Sequence, residues 1–207
     1  FIKLYLLSAL SLSFVHADTV KFGLGSCLDQ DFPQPIWDAI GEENLDYFVF
    51  LGDNVYGDVP SGSLRKMVGA YKKQKDLFPK WLNSVEIFPI WDDHDYGLND
   101  AGSEYSLKRQ SQEIFLNFWD ISLDDDRHNR DGIYFSEEKI INGKVFKLIF
   151  LDTRFFRSKL KGPKGNYVEN LNSDATILGT SQWNWLESEL KDEFDFLIVF
   201  SSIQIIA

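Results

Sequence analysis

The sequence is poor in the residues that most often declare a function by themselves. Its 207 residues hold one cysteine, one methionine and three histidines. A single cysteine, Cys27, excludes an internal disulfide framework. Cations are scarce as well: 21 Lys and Arg against 32 Asp and Glu leave a net charge of −11. A surface of that sign repels phosphate backbones, which argues against nucleic-acid binding through a basic patch. No apolar run reaches the roughly 18–20 residues that a membrane-spanning helix needs, so no transmembrane segment is expected. No Pro/Gly/Ser-rich linker, repeat or low-complexity stretch divides the chain, and its length fits one domain better than two.

Missing motifs remove further classes. Gly23-Leu24-Gly25 lacks the third glycine of a dinucleotide-binding loop, whose place is taken by Leu28. No Walker-type Gly-Lys-Ser/Thr follows, and Ser26 is not in a Gly-x-Ser-x-Gly elbow. The acidic stretch 124–132 has neither the sixth-position Gly nor the twelfth-position Glu of a calcium-binding EF-hand. It reads as a solvated turn.

What is present is apolar and aromatic. Hydrophobic residues make up 44% of the chain, with 18 Phe, 8 Tyr and 6 Trp, enough to fill a sizeable core. Short apolar runs predict strands at Val20–Leu24, Tyr47–Leu51, Ile87–Trp91, Val145–Leu151 and Phe196–Phe200. Ile133–Phe135 should start a hairpin that returns through Val145–Leu151 across Asn142-Gly143. Helical spacing falls between these runs: Ile36, Trp37 and Ile40; Leu64, Met67, Val68 and Tyr71; Leu107, Ile114, Phe115 and Phe118; and Trp183, Leu186 and Leu190, the last capped by Thr180 or Ser181. Trp183 and Trp185 stand two apart and cannot share a helix face. Strands alternating with helices predict an α/β layered fold.

The ends carry their own expectations. Lys3, the apolar run Leu4–Val15 and Val15-His16-Ala17 form a signal-peptide pattern at residues 1–17, with the mature chain starting near Asp18 and leaving the cytoplasm. The chain starts with Phe, and its only methionine is Met67, so its start is expected to be incomplete. Residues 18–207 then form an incomplete domain, C-terminally truncated, because Ala207 directly follows an apolar run with nothing to close it.

Chemistry-bearing residues follow the strands. The first run ends in Gly25-Ser26-Cys27, the second in Gly52-Asp53-Asn54-Val55-Tyr56-Gly57-Asp58, the third in Trp91-Asp92-Asp93-His94-Asp95 and a later one in Leu151-Asp152-Thr153-Arg154. Ligand sites in open α/β sheets lie outside the carboxyl ends of strands, so these loops can converge. One Asp in such a place is a turn former or cap more often than a ligand, at about three to one. Four consecutive loops carrying such groups are harder to ascribe to capping. A phosphoester resists attack because its anionic oxygens repel nucleophiles. Two metal ions about 3.5–4 Å apart neutralise that charge and activate a water. Asp53 and Asp93 suit such ions as donors. A thiolate at Cys27 and a phenolate at Tyr56 would favour an iron-like transition ion over magnesium. Small cysteines are also common in cores, so Cys27 alone decides nothing.

Gly52-Asp53 with Tyr56, the ten residues Trp91-Asp92-Asp93-His94-Asp95-Tyr96-Gly97-Leu98-Asn99-Asp100 and Leu151-Asp152-Thr153-Arg154 together resemble the PhoD-like (alkaline phosphatase D) branch of the calcineurin-like metallophosphoesterases. Gly25-Ser26-Cys27, Gly179 with Gln182-Trp183 and Trp185-Leu186, and Ser201-Ser202-Ile203-Gln204 extend the resemblance over nearly all of the mature chain. The resemblance implies a four-layer α/β/β/α sandwich with two metal ions at the sheet edge, one iron-like and one calcium or another divalent cation. It implies Cys27, Asp53, Tyr56 and Asp93 as metal ligands, with Asp53 bridging, and His94 as the catalytic group that binds phosphate or protonates the leaving group. It implies Arg154 as a substrate-binding residue, although a structural Asp partner is an equal alternative. The substrate class implied is a small-molecule or polymeric phosphoester.

One departure matters. The family completes its site with a later Gly-Asp-x-His motif that does not occur here; His16 lies in the signal segment and His128 in a polar turn. Two readings therefore stand: a secreted phosphomonoesterase or phosphodiesterase, and a secreted binding module on the same fold without catalysis.

Overall fold

The computed structural model describes residues 19–205. The predicted signal segment 1–17 lies outside the described residues. Among the described residues six strands form two sheets of three. β1 (Phe22–Gly25), β2 (Tyr47–Leu51) and β3 (Glu86–Ile90) are all parallel, in that order. In the second sheet β4 (Phe135–Ile141) pairs antiparallel with β5 (Lys144–Phe150), and β5 pairs parallel with β6 (Phe196–Phe200). The runs read from sequence coincide with these strands to within one or two residues, except that β4 begins where the predicted strand ended. Asn142 and Gly143 both have positive φ, 52° and 74°, the geometry of a tight two-residue hairpin.

The sheets face one another through aromatic rings. Phe135 and Phe150 stack at 4.3 Å with planes 6° apart, and Phe150 and Phe200 at 4.8 Å and 10°. These three are register partners across β4, β5 and β6, so each ring lies over its neighbour on one sheet face. Phe22, Tyr47 and Phe88 form the answering row on the first sheet, stacked at 4.8 and 5.8 Å. Phe88 meets Phe150 at 5.1 Å and Phe22 meets Phe200 at 6.4 Å, which joins the two rows. Such ring pairs contribute about 0.5–1.5 kcal/mol each beyond the area they bury.

The outer faces are covered by helices. On the first sheet Phe48 and Phe50 alternate with the inward residues and pack against Trp37 of α1 (Ile36–Gly41) and Leu82 of a 3₁₀ turn, Lys80–Ser84. On the second, Ile149 and Leu151 pack under Leu178 and Leu186, the latter on α5 (Gly179–Glu189). Lys147 points the same way and is ion-paired to Glu138, Glu189 and Asp192.

Three local expectations need correction. On α2 (Arg65–Leu77) the buried face is Met67, Ala70, Tyr71 and Gln74, while Val68 is 57% exposed; one residue beyond Met67 is about 100° around the helix. The start of α5 is held by Thr176, whose Oγ1 accepts from the Gly179 N–H at 2.9 Å, not by Thr180 or Ser181. Stretch 124–132 is no loose turn. Asp125 caps a 3₁₀ turn (Asp126–His128), Arg127 is buried over the Phe135 ring, and the Gln112 side chain of α4 (Lys108–Phe118) bonds the backbones of Arg127, Arg130 and Gly132. Trp183 is half-exposed while Trp185 packs on Tyr134 at 4.7 Å, so the two do face apart. Among the described residues no helix is long and apolar enough to cross a membrane.

Phe150 sits at the centre of the ring stack with no solvent exposure. Phe150→Ala should cost about 3–5 kcal/mol of stability in urea unfolding, whereas Ile140→Ala, 79% exposed on the hairpin, should stay within about 0.5 kcal/mol. Equal effects would show that the inter-sheet stack is not the core.

Candidate metal centre

The three parallel strands of the first sheet end at one edge, and the loops leaving them are stitched together by backbone. Cys27 N–H donates to Gly52 C=O and Leu28 N–H to Asp53 C=O, at 3.2 and 2.8 Å. Cys27, Gly52 and Asp53 all take positive φ, 59°, 100° and 52°. The contortion at Gly52 has a steric cause. A Cβ there would come within 2.6 Å of the Asp92 backbone nitrogen, so only glycine lets the β2 and β3 loops approach this closely.

Asp95 completes the joint. Its carboxylate has no exposure and accepts from Asp53 N–H, Asn54 N–H, the Asn54 side-chain amide and Asp92 N–H, at 3.2, 3.1, 2.6 and 2.7 Å. These donors lie on both loops, so one side chain fixes Asp53 relative to the short helix α3 (Asp93–Tyr96). Burial, together with the nearby charge of Asp53, drives the pKa of Asp95 well above the usual carboxylate range.

Asp53, Asp93 and His94 then converge. One donor atom from each lies within 4.8 Å of the other two. The Asp53 Oδ1 accepts from the His94 backbone N–H at 3.2 Å. Asp93 Oδ2 is held by Asp100 N–H and the Asn99 amide at 2.6 and 3.2 Å. His94 Nδ1 lies 2.7 Å from Asp58 Oδ1, which leaves Nε2 as the ring nitrogen free of protein partners. Tyr56 stands beside that ring, with centroids 4.3 Å apart. The Cys27 thiol is exposed and reaches Asp53 Oδ2 at 3.7 Å, just outside the mutual set of three. Arg154 is buried, with its Nε 2.5 Å from Asp92 Oδ1 and its Nη2 4.0 Å from Asp93 Oδ1. Of the two readings left open for Arg154, the structure shows the structural Asp pair, and at the same time sets its guanidinium beside the cluster.

Charge at this edge is unbalanced. Burial raises the Asp53 pKa to about 6, and the carboxylates of Asp92 and Asp93 add to the shift. Burial would lower that of His94, but the hydrogen bond and charge of Asp58, with those of Asp53 and Asp93, outweigh it and the net shift is upward. The Tyr56 phenol is driven up by burial and then by the charges of Asp53 and Cys27. Two carboxylates, an imidazole, a thiol and a phenol are a donor set for cations, and a cation would relieve the repulsion that raises Asp53. The residues present fit a metal.

A family model described as "PhoD-like phosphatase" matches residues 22–195. The chain belongs to the PhoD-like phosphatase family. A solved structure titled "Structure of PhoD" superposes with a TM-score of 0.61 at 16% identity, covering 86% of this chain and 40% of that one. At that identity the likeness shows a shared fold, and this chain spans well under half of the other's length. No curated protein sequence matches the chain.

Sequence reasoning brought out Asp53, Asp93, His94, Cys27, Tyr56 and Arg154 but gave no role to Asp58, Asp95, Asn99 or Asp100. For Asp95 a signal existed: Asp92 and Asp95 have the spacing of a helix capping box. For Asp58, Asn99 and Asp100 no local pattern marks the partner, because it comes from another loop or from beyond the end of α3.

Removing a residue that orients a ligand typically costs about 10- to 100-fold in metal affinity. Asn99→Ala, which frees the Asp93 carboxylate of its amide donor, should therefore weaken Mn²⁺ binding by that amount in a calorimetric titration of chelator-treated protein. Unchanged affinity would remove Asp93 from the metal set. Asp95→Ala should lower stability by about 2–4 kcal/mol, since four donors lose their acceptor; a smaller loss would mean that other groups hold the two loops together.

Proposed function

We propose that this PhoD-like chain carries the catalytic edge of a metal-dependent phosphoesterase that hydrolyses phosphomonoesters or phosphodiesters. The observation behind the reading is the meeting of Asp53, Asp93 and His94, from two separate strand ends, with side-chain atoms within 4.8 Å of one another. We assign Asp53, Asp93, Cys27 and Tyr56 as the residues that would hold two cations, one iron-like and one calcium or another divalent ion. When bound, such ions neutralise phosphate charge and acidify a water.

The protein's own groups do the rest. The carboxylate of Asp58 fixes the His94 ring by its Nδ1, so Nε2 is the atom that hands a proton to the departing alkoxide. The direct contact with Asp58 favours the protonated ring. Arg154 is held by Asp92 through Nε and presents the remaining edge of its guanidinium to a phosphate oxygen. Ser202 Oγ donates to the same Asp92 oxygen at 2.9 Å, which steadies the carboxylate that holds Arg154. The helices over both outer sheet faces support a four-layer α/β/β/α arrangement around this edge. Export is part of the proposal and rests on the residue 1–17 pattern.

The test is hydrolysis of bis(p-nitrophenyl) phosphate and p-nitrophenyl phosphate by the protein with and without exhaustive chelation. Activity should vanish on chelation and return with added metal. His94→Ala should lower kcat by about 10²- to 10⁴-fold on an alkyl ester such as glycerol phosphate, with less effect on the two nitrophenyl substrates, whose leaving group needs little protonation. Full rate after chelation would sink the mechanism.

A further inference from the structure

Three arginines are buried among the described residues, Arg127, Arg154 and Arg157. Arg127 faces Asp125 at 2.7 Å and Arg154 faces Asp92 at 2.5 Å. Arg157 has no such partner. It is 7% exposed, donates from Nη2 to the carbonyl of Asp100, and keeps a buried Nε with no acceptor. With one neutral acceptor and no carboxylate within ion-pair distance, this buried guanidinium is only partly compensated, a state folded proteins avoid unless something else supplies the anion. Burial and then the neighbouring charge of Arg154 push its pKa down, outweighing the more distant charges of Glu104, Asp100 and Asp92.

Arg157 borders a cavity of about 550 Å³ between the crossing segment 157–177 and α5. That size lies within the roughly 300–1,000 Å³ of small-molecule sites. Lys159 and Lys161 also line it, and no Asp or Glu does. On a chain of net charge −11, a pocket with three cations and no carboxylate is a local reversal of sign. Its other wall is apolar: Ile177, Ile203 and Trp183, whose indole is 49% exposed. A half-exposed indole beside an open apolar wall offers a stacking face for a ring.

We propose that this cavity is a binding site for a ligand with one anionic group and an apolar or aromatic body, the anion seated on Arg157 and the body between Trp183, Ile177 and Ile203. The site stands independently of the phosphoester reading. It also adjoins the metal centre, because Asp100, whose carbonyl accepts from Arg157, donates its N–H to the Asp93 carboxylate.

Naphthalene-1-sulfonate is a suitable probe, since it combines one anion with a rigid two-ring body; uncharged 2-naphthalenemethanol is the control. Calorimetric titration of the wild-type protein should show one site for the sulfonate. A charge-assisted hydrogen bond is worth about 1.5–3 kcal/mol, so Arg157→Gln should weaken sulfonate binding about 10- to 100-fold and leave the alcohol nearly unchanged. Ile177→Trp fills the cavity from its half-exposed wall without touching Arg157, and should weaken both. Circular dichroism reports whether each variant is folded; if Arg157→Gln is not, the Ile177→Trp titration decides. Equal sulfonate affinity in wild type and Arg157→Gln, binding that survives Ile177→Trp, or no binding to the wild type at millimolar probe would each overturn the proposal.

Discussion

The carboxylate of Asp95 ties the whole site to the fold. It has no contact with solvent and collects four donors from the loops after β2 and β3. A buried carboxylate is costly unless its oxygens are fully engaged. Here the engagement forces Asp53 and Asn54 against the start of α3. Gly52 makes the approach sterically feasible, and Asp95 makes it favourable. Without that joint Asp53 and Asp93 would be two acidic residues on neighbouring loops, separated by their own repulsion.

The platform beneath is rigid for a different reason. Parallel strands of the first sheet end at one edge by topology, but their ends hold position only if the sheet does not twist or slide on its partner. The stacked rings of Phe135, Phe150 and Phe200 against Phe22, Tyr47 and Phe88 supply that restraint. Trp91 carries it into the site: its ring is fully buried on Tyr96 and Phe115, and its Nε1 donates to Asp152 at 2.9 Å. Asp152 in turn accepts from the backbone of Ile133, Arg154 and Phe155, so the Arg154 loop is locked to the same frame. Asp152 is thus the turn former that an acidic residue at a strand end most often is.

Charge left unbalanced by the fold marks where ligands belong. Asp53, Asp92 and Asp93 crowd together with one buried guanidinium between them, an excess of negative charge that suits a cation. A short way along the chain Arg157 is buried with the opposite deficit. Folding does not relieve either imbalance by itself, and both lie beside open space or solvent.

Much of the architecture was legible in the sequence because strands are local. A run of β-branched and aromatic residues flanked by turn formers reads as a strand wherever it lies, and Asn142-Gly143 specifies its hairpin through backbone preference alone. Asp53, Asp93 and His94 stood out as candidates because each follows such a run. Pairing was not legible. That Asp58 would hold His94, that Asp95 rather than a neighbour would lie beneath Asp53, and that Arg154 would be paired while Arg157 would not, all depend on which loops meet across the sheet edge. Val68 shows the same limit on a helix, where one residue of rotation separates core from solvent. Residue type and spacing determined which groups could do chemistry; only the packing of distant segments decided which of them share a volume small enough for charge to matter, because electrostatic coupling depends on distance and burial, and neither is written in any single stretch of chain.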